Sequence, residues 1–241
     1  MVPRPAATVM LVRPDVAQGV AVYMLRRSGR SRFMPHAYVF PGGAVDAADR
    51  ELAEASAPPG TSGLFAPELA VAALRELFEE AGILLAVASD GTQRNYDPLT
   101  LAELRAELNG GAPFVRLLER HQLQLDTAAL TYYSNWITPA SEPIRFDAHF
   151  FIARAPEDQI AAADAVEVHD GLWIAPREAL ERSARGEMTI IFPTFKHLER
   201  LARFDDIEAL MAHARERAIK PVEPFERSRG EFTFSDGDGD W

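Results

Sequence analysis

The chain has 241 residues, 47% hydrophobic and 25% charged, enough for one sizeable core carried as a decorated domain or a domain with a small appendage. A formal net charge of −11 argues against a general nucleic-acid or anionic-membrane binder, whose surface would be basic. The absence of cysteine excludes disulfides, thiolate metal sites and cysteine nucleophiles together.

No apolar run approaches membrane-spanning length, and the N-terminus, interrupted by Arg4 and Arg13, lacks a signal-peptide core, so a cytoplasmic enzyme is expected. Ala6 to Val12 and Val20 to Leu25 are β-branched-rich runs separated by Pro14, Asp15 and Gly19, which predicts a first strand pair. Arg26 to Arg32 is basic in an acidic protein and, taken alone, reads as a solvated loop. After Phe40-Pro41-Gly42-Gly43, the stretch 46–66, with Pro58-Pro59-Gly60 inside it, reads as an inserted surface loop that decorates the fold.

Next comes Arg75-Glu76-Leu77-Phe78-Glu79-Glu80-Ala81-Gly82-Ile83. Glu76, Glu79 and Glu80 stand at i, i+3 and i+4, so a helix projects them from one side. Leu74, Leu77, Phe78 and Ala81 fall on the opposite side, which gives the helix an apolar stripe to bury. Pro67 and Glu68 make a first turn and Gly82 a left-handed stop, predicting a helix of about four turns. Three clustered glutamates repel one another, and a divalent cation that takes oxygen ligands relieves them. The plainer reading is a solvated acidic face with Arg75 paired to Glu79.

Ile83 to Ala88 is predicted as a strand. Leu99 to Leu108 and Phe114 to Leu123 have helical spacing split by Asn109-Gly110-Gly111-Ala112-Pro113, a helical hairpin over 99–123. Leu130 to Ile137 and Ile144 to Ala153 return to strand character around Thr138 to Pro143. Val166-Glu167-Val168 and Gly171 to Pro176 predict a strand pair followed by a helix. Phe195 to Phe204 and Ile207 to Arg217, within 195–217, are amphipathic helices that pack on the core or on a second copy of the chain, a homodimer. Residues 1–220 form one domain, and 221–241, ending Ser-Asp-Gly-Asp-Gly-Asp-Trp, is expected to be a mobile tail.

The segment Arg-Glu-Leu-x-Glu-Glu-x-Gly-Ile at 75–83, with Gly42-Gly43 upstream, resembles the Nudix box, a glycine and then a glutamate ahead of an R-E-U-x-E-E-x-G-U helix with U aliphatic. The helical half matches at every defined position. In the front half the glycine and arginine are further apart than in the family, and Pro67 stands where a glutamate is expected eight residues before Arg75, with Glu68 one step away. Arg27-Ser28, Arg32 and Phe40-Pro41-Gly42-Gly43 are similar to the signature of coenzyme A diphosphatases within that family. His36 replaces its glycine, and Tyr23-Met24-Leu25 its L-L-T. Trp136 to Pro139 and Arg145-Phe146-Asp147-Ala148-His149-Phe150-Phe151 resemble a block of the acyl-CoA diphosphatase branch, with Ala148 in place of threonine. Alternating polar and aromatic residues are also what any half-buried strand requires.

The resemblance implies an α/β fold, the Nudix-type α/β/α sandwich around a mixed β-sheet, with helical insertions and extra C-terminal helices. It implies Mg²⁺ or Mn²⁺ bound by Glu76, Glu79, Glu80 and the Gly43 carbonyl, with Arg75 orienting the carboxylates and a helix glutamate or Glu167 as base, Asp164 being the rival. Arg27, Arg32, Phe40, Gly42 and Gly43 would contact substrate. The expected reaction is pyrophosphate cleavage of coenzyme A or acyl-CoA. Hydrolysis of another nucleoside diphosphate derivative, such as ADP-ribose or NADH, is the alternative, and a non-catalytic nucleotide-binding regulator the third reading. A small-molecule nucleotide, not nucleic acid or membrane, is the expected partner.

Overall fold

Residues 7–12 alternate between two interiors, and the rest of the fold follows from that. The computed structural model describes residues 2–29, 34–56, 63–164, 168–228 and 231–234. In it β1 (Arg4–Asp15) turns Ala7, Val9 and Leu11 into one apolar cluster and Met10 and Val12 into another, the period-two consequence of a strand buried on both faces. A strand of this kind needs a helical layer on each side.

The strands around it are β2 (Gly19–Arg27), β3 (Tyr38–Val39), β4 (Gly42–Ala44), β7 (Thr131–Ile137), β8 (Phe146–Arg154), β9 (Val168–Ile174) and β10 (Pro221–Val222). The sheet runs β10-β7-β8-β1-β2-β3, with β4 also on β1 and β9 also on β2. β1 and β8 are parallel over nine residues, from Arg4↔Phe146 to Val12↔Arg154, whereas β1–β2, β1–β4 and β7–β8 are antiparallel, so the sheet is mixed. One face is covered by α2 (Pro67–Ala81), whose Leu69, Leu74 and Leu77 pack on Val9, Leu11 and Phe151. The other is covered by α5 (Pro176–Ala184), α6 (Phe192–Leu201) and α7 (Ile207–Glu216), which bring Ala179, Leu198, Leu201, Leu210 and Met211 onto Met10, Val22 and Ile152. The expected α/β/α sandwich is present.

A third apolar cluster backs α2. Val71 and Phe78 turn away from the sheet and meet Leu52 and Ala53 of α1 (Ala47–Ser56) and Leu101, Leu104, Leu117 and Leu118 of the hairpin α3 (Pro98–Asn109) and α4 (Phe114–His121). β5 (Ala86–Ala88) and β6 (Leu123–Leu125) close that hairpin as a separate two-stranded sheet.

Three expectations are corrected. The 46–66 insert is not only a loop, because it contains α1. Among the described residues β9 is a single strand joined to β2, not a pair, and Val166 and Glu167 lie outside them. Within 221–241 the described residues carry regular structure and are not only a tail: β10 adds to β7 in parallel, and β11 (Phe225–Ser228) and β12 (Glu231–Thr233) form a hairpin. The repeated Asp-Gly segment beyond residue 234 lies outside the described residues. The C-terminal helices α6 and α7 pack on the core of their own chain.

At the centre of the α6 face His197 is fully buried. Its Nδ1 donates to Pro193 O at 2.6 Å, its Nε2 accepts from the Ser134 hydroxyl at 2.6 Å, and its ring stacks on Phe150 at 4.1 Å. Burial pushes its pKa down to about 3, so below pH 6.5 the unfolded chain takes a proton that the folded one refuses. Stability is therefore lost as pH falls from 6.5 towards 3, by about 1.4 kcal/mol per pH unit through this group. His197→Gln lacks that slope. The stability gap between wild type and variant, read from urea unfolding, is expected to narrow by about 2–3 kcal/mol between pH 6.5 and 4.5.

Candidate functional site

The site is built on α2 and the strand β4 that faces it. Pro67 starts the helix with its ring at the first turn, after Ala66 at φ −71° and ψ 134°, a position where the missing N–H costs nothing. Gly82 ends it at φ 71°, donating its N–H to Phe78 O at 3.0 Å, the left-handed cap that glycine adopts without strain. Two further last-turn carbonyls find partners from elsewhere. Glu79 O accepts from Arg105 Nε at 2.9 Å and Asn109 Nδ2 at 3.4 Å, and Ala81 O from Ala162 N at 2.9 Å. Arg105 and Asn109 of the helical hairpin thus clamp the acidic turn.

Inside the helix Arg75 is 9% exposed, and all five of its N–H groups are engaged. Nε and Nη2 grip Asp49 Oδ1 and Oδ2 at 2.8 and 2.9 Å, Nη1 reaches Glu76 Oε1 at 3.0 Å and Glu79 Oε2 at 2.8 Å, and Nη2 also meets Ala44 O at 3.3 Å. Burial works against the charge. The Asp49 bond and the Glu76 and Glu79 carboxylates outweigh it and hold the guanidinium pKa above its ordinary value. The Arg75–Glu79 pair read from the sequence is present, but it is one arm of a larger network.

Asp49 is the residue that sequence reasoning missed. It supplies the carboxylate that was sought at Pro67 or Glu68, and it comes from α1. Asp46 and Asp49 cap that helix reciprocally, Asp46 N donating to Asp49 Oδ2 at 3.0 Å and Asp49 N to Asp46 Oδ1 at 2.8 Å. The Asp-x-x-Asp spacing is a capping box, and that was the signal available in the sequence.

β4 brings the glycines to the glutamates. Gly43 pairs with Ala7 and Gly42 with Thr8. The Gly42 N–H donates to Glu80 Oε2 at 2.9 Å. A Cβ on Gly43 would lie 2.2 Å from Glu76 Oε1, so only glycine lets that carboxylate rest against the strand. Burial pushes the Glu76 carboxyl up to about 7, with the Glu79 and Asp49 charges adding to it and Arg75 opposing it.

Among the described residues no three acidic or histidine side chains are gathered closely enough to hold a metal ion as they stand, because Arg75 holds Glu76 and Glu79 while Glu80 turns to Gly42. The donors nevertheless fit a hard cation in kind. They are carboxylate oxygens beside a strand backbone, the absent Cβ of Gly43 leaves a cradle, and burial with the neighbouring Glu79 and Asp49 charges penalises the charged form of Glu76 by more than Arg75 relieves.

Other expected site residues are placed differently. Phe40 is 2% exposed and packs edge-on to His197, so its ring anchors the glycine strand from the core and does not face a ligand. Arg27 ends β2, its N–H donating to Ala37 O at 2.9 Å. Arg32 and Glu167 lie outside the described residues. Asp164 stands near the helix end and accepts from Val168 N at 3.1 Å. Arg145 is structural, with Nε donating to Thr138 O at 2.8 Å and Nη2 to Glu223 at 2.6 Å.

Removing one partner of a buried ion pair leaves an uncompensated charge. Asp49→Asn is therefore expected to lower the unfolding free energy by about 3 kcal/mol, visible as a fall in the urea midpoint with unchanged slope. Glu51→Gln on the exposed side of α1 should leave that midpoint in place.

Comparison with known proteins agrees with this architecture. The family model described as NUDT19 Nudix domain matches residues 62–201. The protein named acyl-coenzyme A diphosphatase NUDT19 is 32% identical in Gallus gallus, over 83% of this chain and 65% of that one, and 29% identical in Homo sapiens, over 91% and 70%. The chain thus spans about two thirds, in the chicken case slightly less, of these relatives' length. The crystal structure of a NUDIX hydrolase from Alicyclobacillus acidocaldarius superposes with a TM-score of 0.75 at 30% identity, covering 88% of this chain and 96% of that one. With a matching domain model over more than half its length and that structural agreement, the chain belongs to the NUDT19 group of Nudix domains.

Proposed function

We propose that the chain is a metal-dependent pyrophosphohydrolase that cleaves coenzyme A or acyl-CoA to 3′,5′-ADP and 4′-phosphopantetheine or its acylated form. The observation that carries this reading is the juxtaposition of Glu76 and Glu80 with the Gly42-Gly43 backbone, held by the Asp49–Arg75 pair. The names of the chicken and human relatives support the substrate class.

Glu76, Glu79, Glu80 and the Gly43 carbonyl would hold Mg²⁺ or Mn²⁺, which when bound neutralises pyrophosphate oxygens and lowers the pKa of water. The chain's own residues set the rest. Arg75 orients Glu76 and Glu79 through Nη1, and the Gly42 N–H orients Glu80. A helix glutamate, or Glu167 with Asp164 as its rival, accepts the proton of the attacking water. Arg27 and Arg32 supply forks for the phosphate oxygens, which suits the ribose 3′-phosphate that distinguishes coenzyme A from ADP-ribose. The cytoplasmic location belongs to this proposal, alongside the finding that no helix among the described residues is long and apolar enough to cross a membrane.

The test is parallel incubation with coenzyme A, acetyl-CoA, ADP-ribose and NADH in Mg²⁺ or Mn²⁺. Release of 3′,5′-ADP from the first two is expected. Glu79→Gln and Glu80→Gln should each lower kcat at least about 100-fold, and chelation should abolish turnover. Cleavage of ADP-ribose but not of the CoA compounds would overturn the substrate, and no turnover of anything would favour a binding module.

A further inference from the structure

A second polar cluster shares the α2 face of the sheet and is not used by the chemistry above. Tyr132 Oη lies 2.8 Å from His149 Nδ1, His149 Nε2 lies 3.3 Å from Asp147 Oδ1, and Asn135 Nδ2 donates to the same oxygen at 2.5 Å. The carboxylate beside Nε2 places the imidazole proton there, so Nδ1 accepts the Tyr132 proton. Burial lowers the His149 pKa, and in this tautomer the chain runs Tyr132 to His149 to Asp147. Its two ends are the lone pairs of the Tyr132 oxygen and the carboxylate of Asp147, whose side chain is 38% exposed. Both ends accept hydrogen bonds. Phe65, just before α2, packs on Tyr132 and Phe151 at 5.2 and 5.0 Å and gives the cluster an apolar wall.

Sheet register locates it. At the level of Ala7 the row across four strands reads Asn135, His149, Ala7, Gly43. Ala7 and Phe151 belong to the apolar cluster under α2, and His149, two residues from Phe151, shares their face. Two strand spacings put His149 about 10 Å from Gly43, and so from the glutamates at which the pyrophosphate would be cut. Arg27 ends β2 on the opposite, β4 side of β1. A substrate with its pyrophosphate at Gly43 therefore has a basic flank on one side and an acceptor-rich, partly apolar flank on the other.

We propose that Tyr132, His149 and Asp147 line a second subsite of the cleft, built to accept hydrogen bonds from uncharged N–H and O–H groups, and that it takes the pantetheine arm of the substrate. The assignment rests on the reading of coenzyme A as substrate. Of the two arms, 3′-phospho-ADP is polyanionic and is repelled by the Asp147 carboxylate, whereas pantetheine offers two amide N–H groups, a hydroxyl and a largely apolar chain.

Tyr132→Phe removes one acceptor and keeps the ring. Calorimetric titration of wild type and variant with 4′-phosphopantetheine and with 3′,5′-ADP, each with Mg²⁺, separates the arms. Weakening of 4′-phosphopantetheine by about three- to tenfold with 3′,5′-ADP unchanged is expected, and the loss in coenzyme A turnover should fall on KM more than on kcat. Asp147→Asn should weaken the same ligand. Selective weakening of 3′,5′-ADP would overturn the choice of arm, and unchanged binding of both would overturn the subsite. Because binding is read directly, loss of 4′-phosphopantetheine affinity in a protein that does not hydrolyse coenzyme A would refute the proposed reaction and leave the subsite standing.

Discussion

Everything in the candidate site hangs on one buried guanidinium. Four carboxylates, Asp49, Glu76, Glu79 and Glu80, are gathered around Arg75 and the glycine strand, and a single positive charge sits among them. Taking such charges out of water is costly unless geometry and hydrogen bonding compensate. Arg75 compensates part of it, with five donors spent on three carboxylates and a carbonyl. The remainder appears at Glu76, whose carboxyl is pushed up towards neutrality by burial. This imbalance beside two glycines is what supports the proposed cation site, and the same imbalance explains why α2 must be held so firmly.

The holding comes from every side. The sheet takes Leu69, Leu74 and Leu77, while α1, α3 and α4 take Val71 and Phe78. Arg105, Asn109 and Ala162 occupy the Glu79 and Ala81 carbonyls of the last turn, the one that carries Glu79 and Glu80. A helix fixed at its face, back and end has little freedom to let its carboxylates relax apart, which is the supporting shell a preorganised site requires. The segments that lengthen this chain are therefore structural parts of the site and not ornaments on it.

What could be read beforehand followed from how local each signal is. The α2 boundaries, the Pro67 start and the Gly82 stop were legible because caps and 3.6-residue periodicity act within a few residues. The hairpin at 98–121 and strands β1, β2, β7 and β8 were legible for the same reason. The Arg75–Asp49 bond was not, since its partners are 26 residues apart and nothing in Pro67 or Glu68 points to α1. That helix was hidden by its composition: of its ten residues only Leu52 and Ala53 are apolar contributors to a cluster, too few to set a period. β10 is two residues long, and its pairing with β7 is a tertiary event that no local preference encodes. Phe40 misled because its place beside the glycines suggested contact with a ligand, while its parity along the chain sends the ring to the other face.

The distance between the glycines and the arginine also shows how a motif can be broken along the chain and whole in space. Asp49 follows Gly43 closely, and the long segment after it lies between α1 and α2, not between the glycines and their carboxylate. Loop-closure cost grows only as the logarithm of length, so chain can be added there cheaply. The requirement is that the first turn of α1 stays where Asp49 meets Arg75, and the Asp46–Asp49 capping box fixes that turn from within. An insertion one helix earlier, between Gly43 and Asp46, would move Asp49 away from the guanidinium and leave a buried positive charge facing only the two glutamates it is meant to orient. The position of the insert is thus set by the electrostatics of α2, and the fold tolerates extra chain only where Arg75 does not feel it.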